Sequence, residues 1–366
     1  MLSFSLHRSR DLAGSGRLAG AVLPALVSAV VTLVLVFSTP LAASAQQKLY
    51  VYTYDSFVSW GPASDFEAGF EALYPGVDVV FVAPGDAGEA VARVIQELEA
   101  GGTDADVLLG IADTQVPKAL ARGLFEPYDP ALIPNLANVP GELIFDETGH
   151  VVPFDHGYIT LVYDSERIDP SEAPKTLEDL TDPKWRGQII MMDPRTSSPG
   201  HAFLMWTIAK YGDPGFVEYW ERLSPNLLTI TGGWTEAYNY FLEGEAPIVV
   251  SYSTDTAYSV TVEGTDRQRV LTPEGEGYRQ IEGMGIVRGT DQRELAHAFI
   301  NYVLSVEAQE KIPPTNWMFP ANRNAAVPEN WEIYAVIPER PVYLAPEEIE
   351  ANEARWLRLW ATAISR

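Results

Sequence analysis

The chain has 366 residues, of which 46% are hydrophobic, and a formal net charge of −25. This length predicts two domains, and the apolar content argues against a disordered chain. The negative charge argues against nucleic acid as a partner, because its phosphates would be repelled, and it disfavours anionic membrane surfaces.

The first 45 residues have the features of a secretory signal peptide. A basic start precedes an almost uncharged apolar run from Leu18 to Phe37. Ala43 and Ala45 satisfy the A-x-A rule of signal peptidase, which predicts cleavage near Ala45. Arg8 and Arg10 are not adjacent, so the general secretory route is favoured over twin-arginine export. The alternative is a retained anchor, since about twenty apolar residues can span a bilayer.

Export normally permits disulfides, yet the chain contains no cysteine. Its stability must therefore come from ordinary burial, and a lipid-modified cysteine at the mature N-terminus is excluded. We expect a soluble periplasmic protein.

From Lys48 onward, strand-like and helix-like segments alternate, which is typical of βαβ units in an open α/β sheet. The first part predicts strands at 48–54, 76–82 and 105–111, helices at 88–100 and 115–124, and an extended run at 151–164. We expect this last run, VVPFDHGYITLVYD, to cross into a second domain.

The second part continues the alternation. It predicts strands at 187–192, 226–231 and 246–252, helices at 199–211 and 236–242, a return crossing near 283–288, a helix at 293–310 on the first domain, and a terminal amphipathic helix within 346–366. The resulting α/β prediction has a signal peptide at 1–45, a discontinuous lobe one at 46–156 plus 284–366, and lobe two at 157–283.

Signatures of catalysis are missing from the sequence. No two of its five histidines have metal-ligand spacing, and no Walker loop, dinucleotide fingerprint or G-x-S-x-G elbow occurs. Fifty carboxylates make a glycosidase-type acidic pair possible, but nothing selects one. We therefore expect a binding protein without a metal or cofactor.

Two segments carry candidate ligand contacts. Tyr54 stands at the carboxyl end of the first strand, where ligands of open α/β sheets bind, although a buried aromatic face is an equal alternative. In MMDPRTSSPGHAFLMW, Ser198 precedes Pro199 as a helix N-cap, and the free amides of a helix start suit a phosphate or carboxylate. Arg195 could add charge there, though ordinary capping would look the same. The loop PGDAGE places Asp86 at another helix start.

Several aromatic residues lie at predicted loops or strand ends, where they could sandwich a flat cationic ring by stacking and cation–π attraction. Tyr238 is predicted within a helix, and each aromatic taken alone is more often a packing residue. These candidates are Trp234, Tyr238, Tyr252, Tyr258 and Trp317.

The same stretches resemble the thiamine-binding periplasmic proteins, the solute-binding components of ABC importers. The matching segments span the mature chain in order: YTYDSFVSWGP (52–62), VPFDHGYITLVYD (152–164), DPRTSSPG (193–200), GGWTEAY (232–238), SYSTDTAY (251–258) and NWMFPAN (316–322).

The resemblance implies a periplasmic binding protein fold of type II, in which two α/β lobes joined by hinge strands hold thiamine or its mono- or diphosphate in the cleft between them. The ring systems would meet Tyr54, Trp234, Tyr258 and Trp317, with Tyr252 nearby. The phosphate end would meet Asp86, Ser197, Ser198 and Gly200. The implied partners are a permease and its ATPase, and the implied state is a monomer.

Two features depart from the family pattern and could alter which thiamine ester is preferred: His156 stands where a tyrosine is expected, and Ala112 to Thr114 replaces an acidic-amide segment. Alternatives remain at this point. Ferric-iron or polyamine binding would use the same fold, although Tyr252 and Tyr258 are too far apart for an adjacent iron-binding pair. An exported hydrolase of thiamine phosphates would need a nucleophile or metal cluster that the sequence does not reveal.

Overall fold

A computed structural model describes residues 46–365, so the predicted signal peptide lies outside the described residues. Among the helices of this described part, none is both long and apolar enough to cross a membrane.

Twelve strands in the described part form one mixed sheet, in the order β2-β1-β3-β10-β5-β8-β6-β7, with β4 and β12 added to β10 and β9 and β11 added to β5. The strands are β1 Gln47–Tyr52, β2 Val77–Val82, β3 Val107–Ala112, β4 Phe125–Glu126, β5 Val151–Asp164, β6 Ile189–Met192, β7 Leu227–Thr231, β8 Ile248–Tyr252, β9 Gln268–Leu271, β10 Glu276–Val287, β11 Phe319–Pro320 and β12 Arg340–Val342.

Parallel pairs form the two ends of the sheet, and antiparallel pairs form its middle. Strand β1 pairs in parallel with β2 and β3, and β6 pairs in parallel with β7 and β8. The long strands β5 and β10 run antiparallel to each other, and each also pairs with strands of one end. They therefore join the two ends of the sheet.

Helices cover both faces of the parallel parts of the sheet, as expected for an α/β fold in which helices lie on both sides of a parallel sheet. They are α1 Asp55–Ser59, α2 Ala63–Leu73, α3 Ala87–Glu99, α4 Val116–Ala121, α5 Ser198–Tyr211, α6 Gly215–Leu223, α7 Trp234–Leu242, α8 Asp255–Tyr258, α9 Arg293–Val303, α10 Val306–Gln309, α11 Ile312–Thr315, α12 Trp331–Tyr334 and α13 Pro346–Ile364. The predicted helix at 293–310 is two helices, because Ser305 interrupts it and caps α10 by accepting the amide hydrogen of Ala308.

Each lobe has its own hydrophobic core. In lobe one, two clusters cover opposite faces of the sheet formed by β1, β2 and β3, and α9 packs in one of them. In lobe two, a single cluster surrounds β6, β8 and α5. We predicted that α13 belongs to lobe one, but Trp356 and Trp360 join the lobe two core, where Trp360 contacts Trp220 edge to face at 6.0 Å. An amphipathic pattern shows that one face of a helix is buried without showing in which core.

Candidate functional site

A cavity lies between the lobes, on the face of β5 and β10 that carries Gly157 and Glu282. Its empty volume is about 660 Å³, part of it open to solvent, which is within the size range of small-molecule sites. Much of its lining comes from element ends: the segment after β1, the starts of α3, α5 and α7, the end of β8, and the segment after α11. Ligands of open α/β sheets bind at such ends.

Aromatic rings make up much of the cavity wall. Trp234 stacks on Tyr238 with 4.8 Å between ring centroids, and it meets Tyr252 edge to face at 6.1 Å. Tyr258 contacts Tyr238 edge to face at 6.0 Å and Trp317 edge to face at 5.2 Å. The aromatic lining residues are Tyr54, Trp60, Trp234, Tyr238, Tyr252, Tyr258 and Trp317.

The backbone places two of these tryptophans. Trp234 is the first residue of α7, immediately after Gly232 and Gly233, and its indole Nε1 donates to Ser251 Oγ at 2.9 Å. Trp317 has a φ of +57°, which is uncommon for a residue with a side chain and costs on the order of 1 kcal/mol. The Trp317 carbonyl accepts a hydrogen bond from Thr254 Oγ1 at 2.6 Å, which helps to hold this conformation.

The polar lining is acidic. Burial raises the pKa of Asp86 to about 6, of Asp255 to about 7 and of Glu282 to about 8. Asp155, next to Glu282, has a strongly raised pKa because of burial and the Glu282 charge. Among the described residues that line the cavity there is no lysine or arginine, so no basic side chain of this lining compensates these carboxyl groups.

Hydrogen bonds fix the acidic side chains in place. Glu282 accepts from the Tyr54 hydroxyl at 2.8 Å and from Gln280 Nε2 at 3.0 Å. Asn316 Nδ2 donates to Asp155 at 2.9 Å and to the Tyr54 oxygen at 2.9 Å. Both strands between the lobes and the segment before Trp317 are thus joined in one network at the cavity floor.

Hydrogen bonds between the two lobes lie beside the cavity. Asp86 in lobe one caps α3 by accepting from the Ala87 amide, and its other carboxylate oxygen accepts from the Trp234 amide of lobe two at 2.9 Å. A Ser198 to Gln115 hydrogen bond of 3.3 Å adds a further interlobe contact. The two lobes are therefore in direct contact in this structure.

Seven of the nine residues predicted to bind ligand line the cavity, and Ser197 and Gly200 do not. Ser197 is fully buried, and its hydroxyl favours the ionised form of Asp86. Gly200 is a packing position, because a Cβ there would lie 2.5 Å from the Met192 carbonyl oxygen. Arg195 is paired with Asp193 and also does not line the cavity.

The sequence analysis missed several lining residues, above all Trp60, Asp255 and Glu282. Trp60 and Asp255 lie inside quoted segments, so their position in the family pattern was the available signal. Glu282 had no such signal, because it is one of fifty acidic residues. Within the described residues, no group of three or more His, Cys, Asp and Glu side chains could hold a metal ion.

Comparison with known proteins agrees with this geometry. A family model described as bacterial extracellular solute-binding protein matches residues 104–337. Together with the two lobes and the cleft, this match defines the chain as an extracellular solute-binding protein. A solved ferric ion-binding protein A from Pasteurella haemolytica, 19% identical with a TM-score of 0.71, has the same fold.

More similar relatives narrow the assignment. A thiamine-binding periplasmic protein from Brucella abortus biovar 1 (strain 9-941) is 38% identical over 328 residues, covering 89% of this chain and 94% of the relative. Its namesake in Escherichia coli (strain K12) is 34% identical over 323 residues, covering 88% and 95%. A solved periplasmic thiamin binding protein is 33% identical with a TM-score of 0.79, covering 88% and 98%. The chain belongs to the family of thiamine-binding periplasmic proteins, which confirms the resemblance found in the sequence.

Proposed function

We propose that this protein binds thiamine in the interlobe cavity and delivers it, from the periplasm, to an ABC permease driven by a separate ATPase. The relatives named above support the ligand class and the location. We propose that it acts as a monomeric carrier, without catalysis and without a cofactor.

The combination of aromatic rings and buried carboxyl groups in one cavity is the observation that carries the proposal. Thiamine has a flat aminopyrimidine ring and a permanently positive thiazolium ring. Aromatic faces attract such a cation, and the attraction grows when water is excluded. The carboxyl groups of Asp255 and Glu282 can ionise beside the positive charge and balance it, whereas a neutral or anionic ligand would give these buried groups no reason to ionise.

The geometry favours thiamine over its phosphate esters. The family resemblance implies phosphate contacts at Asp86, Ser197, Ser198 and Gly200. In the structure, the Asp86 carboxylate already accepts hydrogen bonds from the amides of Ala87 and Trp234. A phosphate at these helix starts would need the same two donors. A phosphate would also stand beside the Asp86 carboxylate without a basic side chain in the lining. We therefore propose that each added phosphate weakens binding.

Hinge closure is the proposed mechanism of capture. The lobe boundaries would lie within β5 and β10, near residues 156 and 283, with α13 assigned to lobe two. Ligand would bridge Tyr54 of lobe one and Trp234 of lobe two, and closure would add the Asp86–Trp234 hydrogen bond. A ligand shifts such an equilibrium only by its higher affinity for the closed form.

Calorimetric titration of refolded, ligand-stripped protein with thiamine, thiamine monophosphate, thiamine diphosphate, ferric citrate and spermidine tests this function. We expect sub-micromolar binding of thiamine, about −8 kcal/mol or stronger, and weaker binding of both esters. If none of the three thiamine forms binds detectably, the proposed function is wrong. If only ferric citrate binds tightly, the protein is an iron-binding protein of the same fold.

A further inference from the structure

A second cavity lies behind the two strands that connect the lobes. Side chains alternate between the faces of a strand, so His156 and Tyr158 of β5 point away from the face that carries Gly157. Arg279 of β10 likewise points away from the face of Gln280 and Glu282. These residues line a cavity with an empty volume of about 930 Å³, part of it open to solvent.

Arg279 has no direct ion-pair or hydrogen-bond partner among the described residues, and its Nε is buried. Its contact is the ring of Tyr343, whose centroid lies 4.5 Å from the guanidinium carbon. Burial raises the pKa of Asp113 to about 7 in spite of the charge of Arg279, so this carboxyl group is only partly ionised near neutral pH. An unpaired, half-buried arginine is unexpected in a chain of net charge −25.

Two further nitrogen-bearing side chains face the same cavity. Arg323 donates to the carbonyl oxygens of Asn138 and Val139, at 3.1 and 3.2 Å, which orients its guanidinium without neutralising it. His156 stacks on Phe319, and its Nδ1 is buried without a partner. Burial, with the Arg279 charge, lowers the pKa of His156 to about 4, so this ring is neutral at pH 7.

The charges of the lining do not cancel. Glu142 is its one carboxylate against the two guanidinium groups of Arg279 and Arg323. The lining therefore has a positive balance on a protein that is otherwise strongly negative. A guanidinium presents its donors in a planar fork that matches the two oxygens of a carboxylate or phosphate.

We propose that this cavity binds a small oxyanion, a carboxylate or a phosphate, held by Arg279 together with Arg323. The Tyr343 ring beneath Arg279 limits the orientations of the guanidinium, which reduces the entropy lost on binding. The neutral His156 ring supplies either a hydrogen-bond donor or an acceptor to the same ligand. The site is separate from the thiamine cavity and does not depend on the proposed function.

Calorimetry and thermal melts at pH 7 test the site, with sodium phosphate and sodium citrate as probes and sodium chloride at equal ionic strength as reference. We expect saturable binding of at least one probe, and a rise in Tm beyond that in chloride. Arg279→Gln should weaken binding at least about tenfold, the usual loss for charge-assisted hydrogen bonds. Arg323→Gln changes an exposed side chain and gives the same test if Arg279→Gln fails to fold.

Two controls separate this site from other effects. Arg186→Gln removes an exposed arginine that lines neither cavity, and it should leave probe binding unchanged. Trp234→Ala should weaken thiamine binding and keep probe binding. Absence of probe binding in the unaltered protein overturns the proposal, as does wild-type affinity in either the Arg279 or the Arg323 variant.

Discussion

Thiamine binding should release a proton and strengthen as the pH rises from 6 to 8. Glu282 is the main source, since its pKa is about 8 in the ligand-free cavity, and about nine-tenths of it is therefore protonated at pH 7. A cation placed beside this group favours the carboxylate and lowers its pKa. Binding then removes the proton from Glu282.

The surroundings of Glu282 determine the sign of this effect. Its hydrogen-bond partners, Tyr54 and Gln280, favour the carboxylate, but burial outweighs them. The other titratable groups that interact with Glu282 are Asp86, Asp113, Asp155 and Tyr252. None of these groups is basic, so in the ligand-free cavity none of them opposes protonation with a positive charge.

The magnitude follows from linkage. If the bound cation brings the pKa of Glu282 well below 6, the apparent Kd falls roughly fiftyfold between pH 6 and pH 8, and about 0.9 proton leaves per ligand at pH 7. Asp255, with a pKa of about 7, adds to the slope if it also ionises on binding.

Calorimetric titration in buffers of different ionisation enthalpy measures the released proton directly, and titration from pH 6 to pH 8 measures the change in Kd. The matched variant is Glu282→Gln, which keeps the size of the side chain and loses the ionisable group. It should bind thiamine with a smaller proton release and a flatter pH profile, and more weakly than the unaltered protein at pH 8. An enthalpy independent of the buffer, with a Kd constant from pH 6 to pH 8, refutes the assignment of the cavity as a cation site.

Further predictions concern affinity and stability. Trp234→Ala should weaken thiamine binding by about 2 kcal/mol, roughly thirtyfold, in a tryptophan-fluorescence titration, while the exposed control Tyr74→Ala should not; equal affinities contradict the role of Trp234. The ligand-free protein should lose unfolding free energy from pH 6 to pH 9 through the buried pair Glu282 and Asp155, because folding raises the pKa of both groups and stability therefore falls as the pH rises through this range; melts without this trend contradict their burial. Trp317→Asn should unfold at a higher temperature than Trp317→Ala, because asparagine tolerates the left-handed backbone better, and both should bind thiamine weakly; equal Tm values argue against strain at this position. Gly200→Ala should lower the Tm, because its Cβ meets a backbone carbonyl oxygen; an unchanged Tm contradicts the packing role.

The sequence predicted the parts of the fold that follow from local periodicity. The extended run at 151–164 forms strand β5 with the same bounds, because fourteen residues with few polar interruptions suit a strand covered on both faces. The start of α7 was placed too late, at Glu236 rather than Trp234, since the aromatic residue after Gly233 was interpreted as part of a loop. The lobe of α13 depended on which core accepts its tryptophans, and that is a property of tertiary packing.

The aromatic part of the cavity was predictable from the sequence, and the acidic part was not. Tyrosine and tryptophan at element ends are few, so each could be singled out. Carboxyl groups are many, and the feature that distinguishes Asp255 and Glu282 is burial at the same cavity, which arises only when tertiary packing brings α8 and β10 to it. Ser197 and Gly200, the expected phosphate contacts, do not line the cavity, because a helix start can be closed by packing as easily as it can be opened to a ligand.

The acidic lining also explains why closure and cation binding should be coupled. Closing the lobes without a ligand removes water from Asp86, Asp255 and Glu282, which disfavours their charged forms and costs free energy. A bound cation allows the same groups to ionise beside a positive charge. The attraction between these carboxylates and the cation therefore favours the closed form only when the ligand is present. The Asp86–Trp234 hydrogen bond then joins the lobes at the ligand itself. A neutral analogue of thiamine, with the same rings and no positive charge, would keep the stacking contacts and lose this term. It should therefore bind more weakly and leave a larger fraction of the protein open, which small-angle X-ray scattering can measure as a larger radius of gyration at saturation.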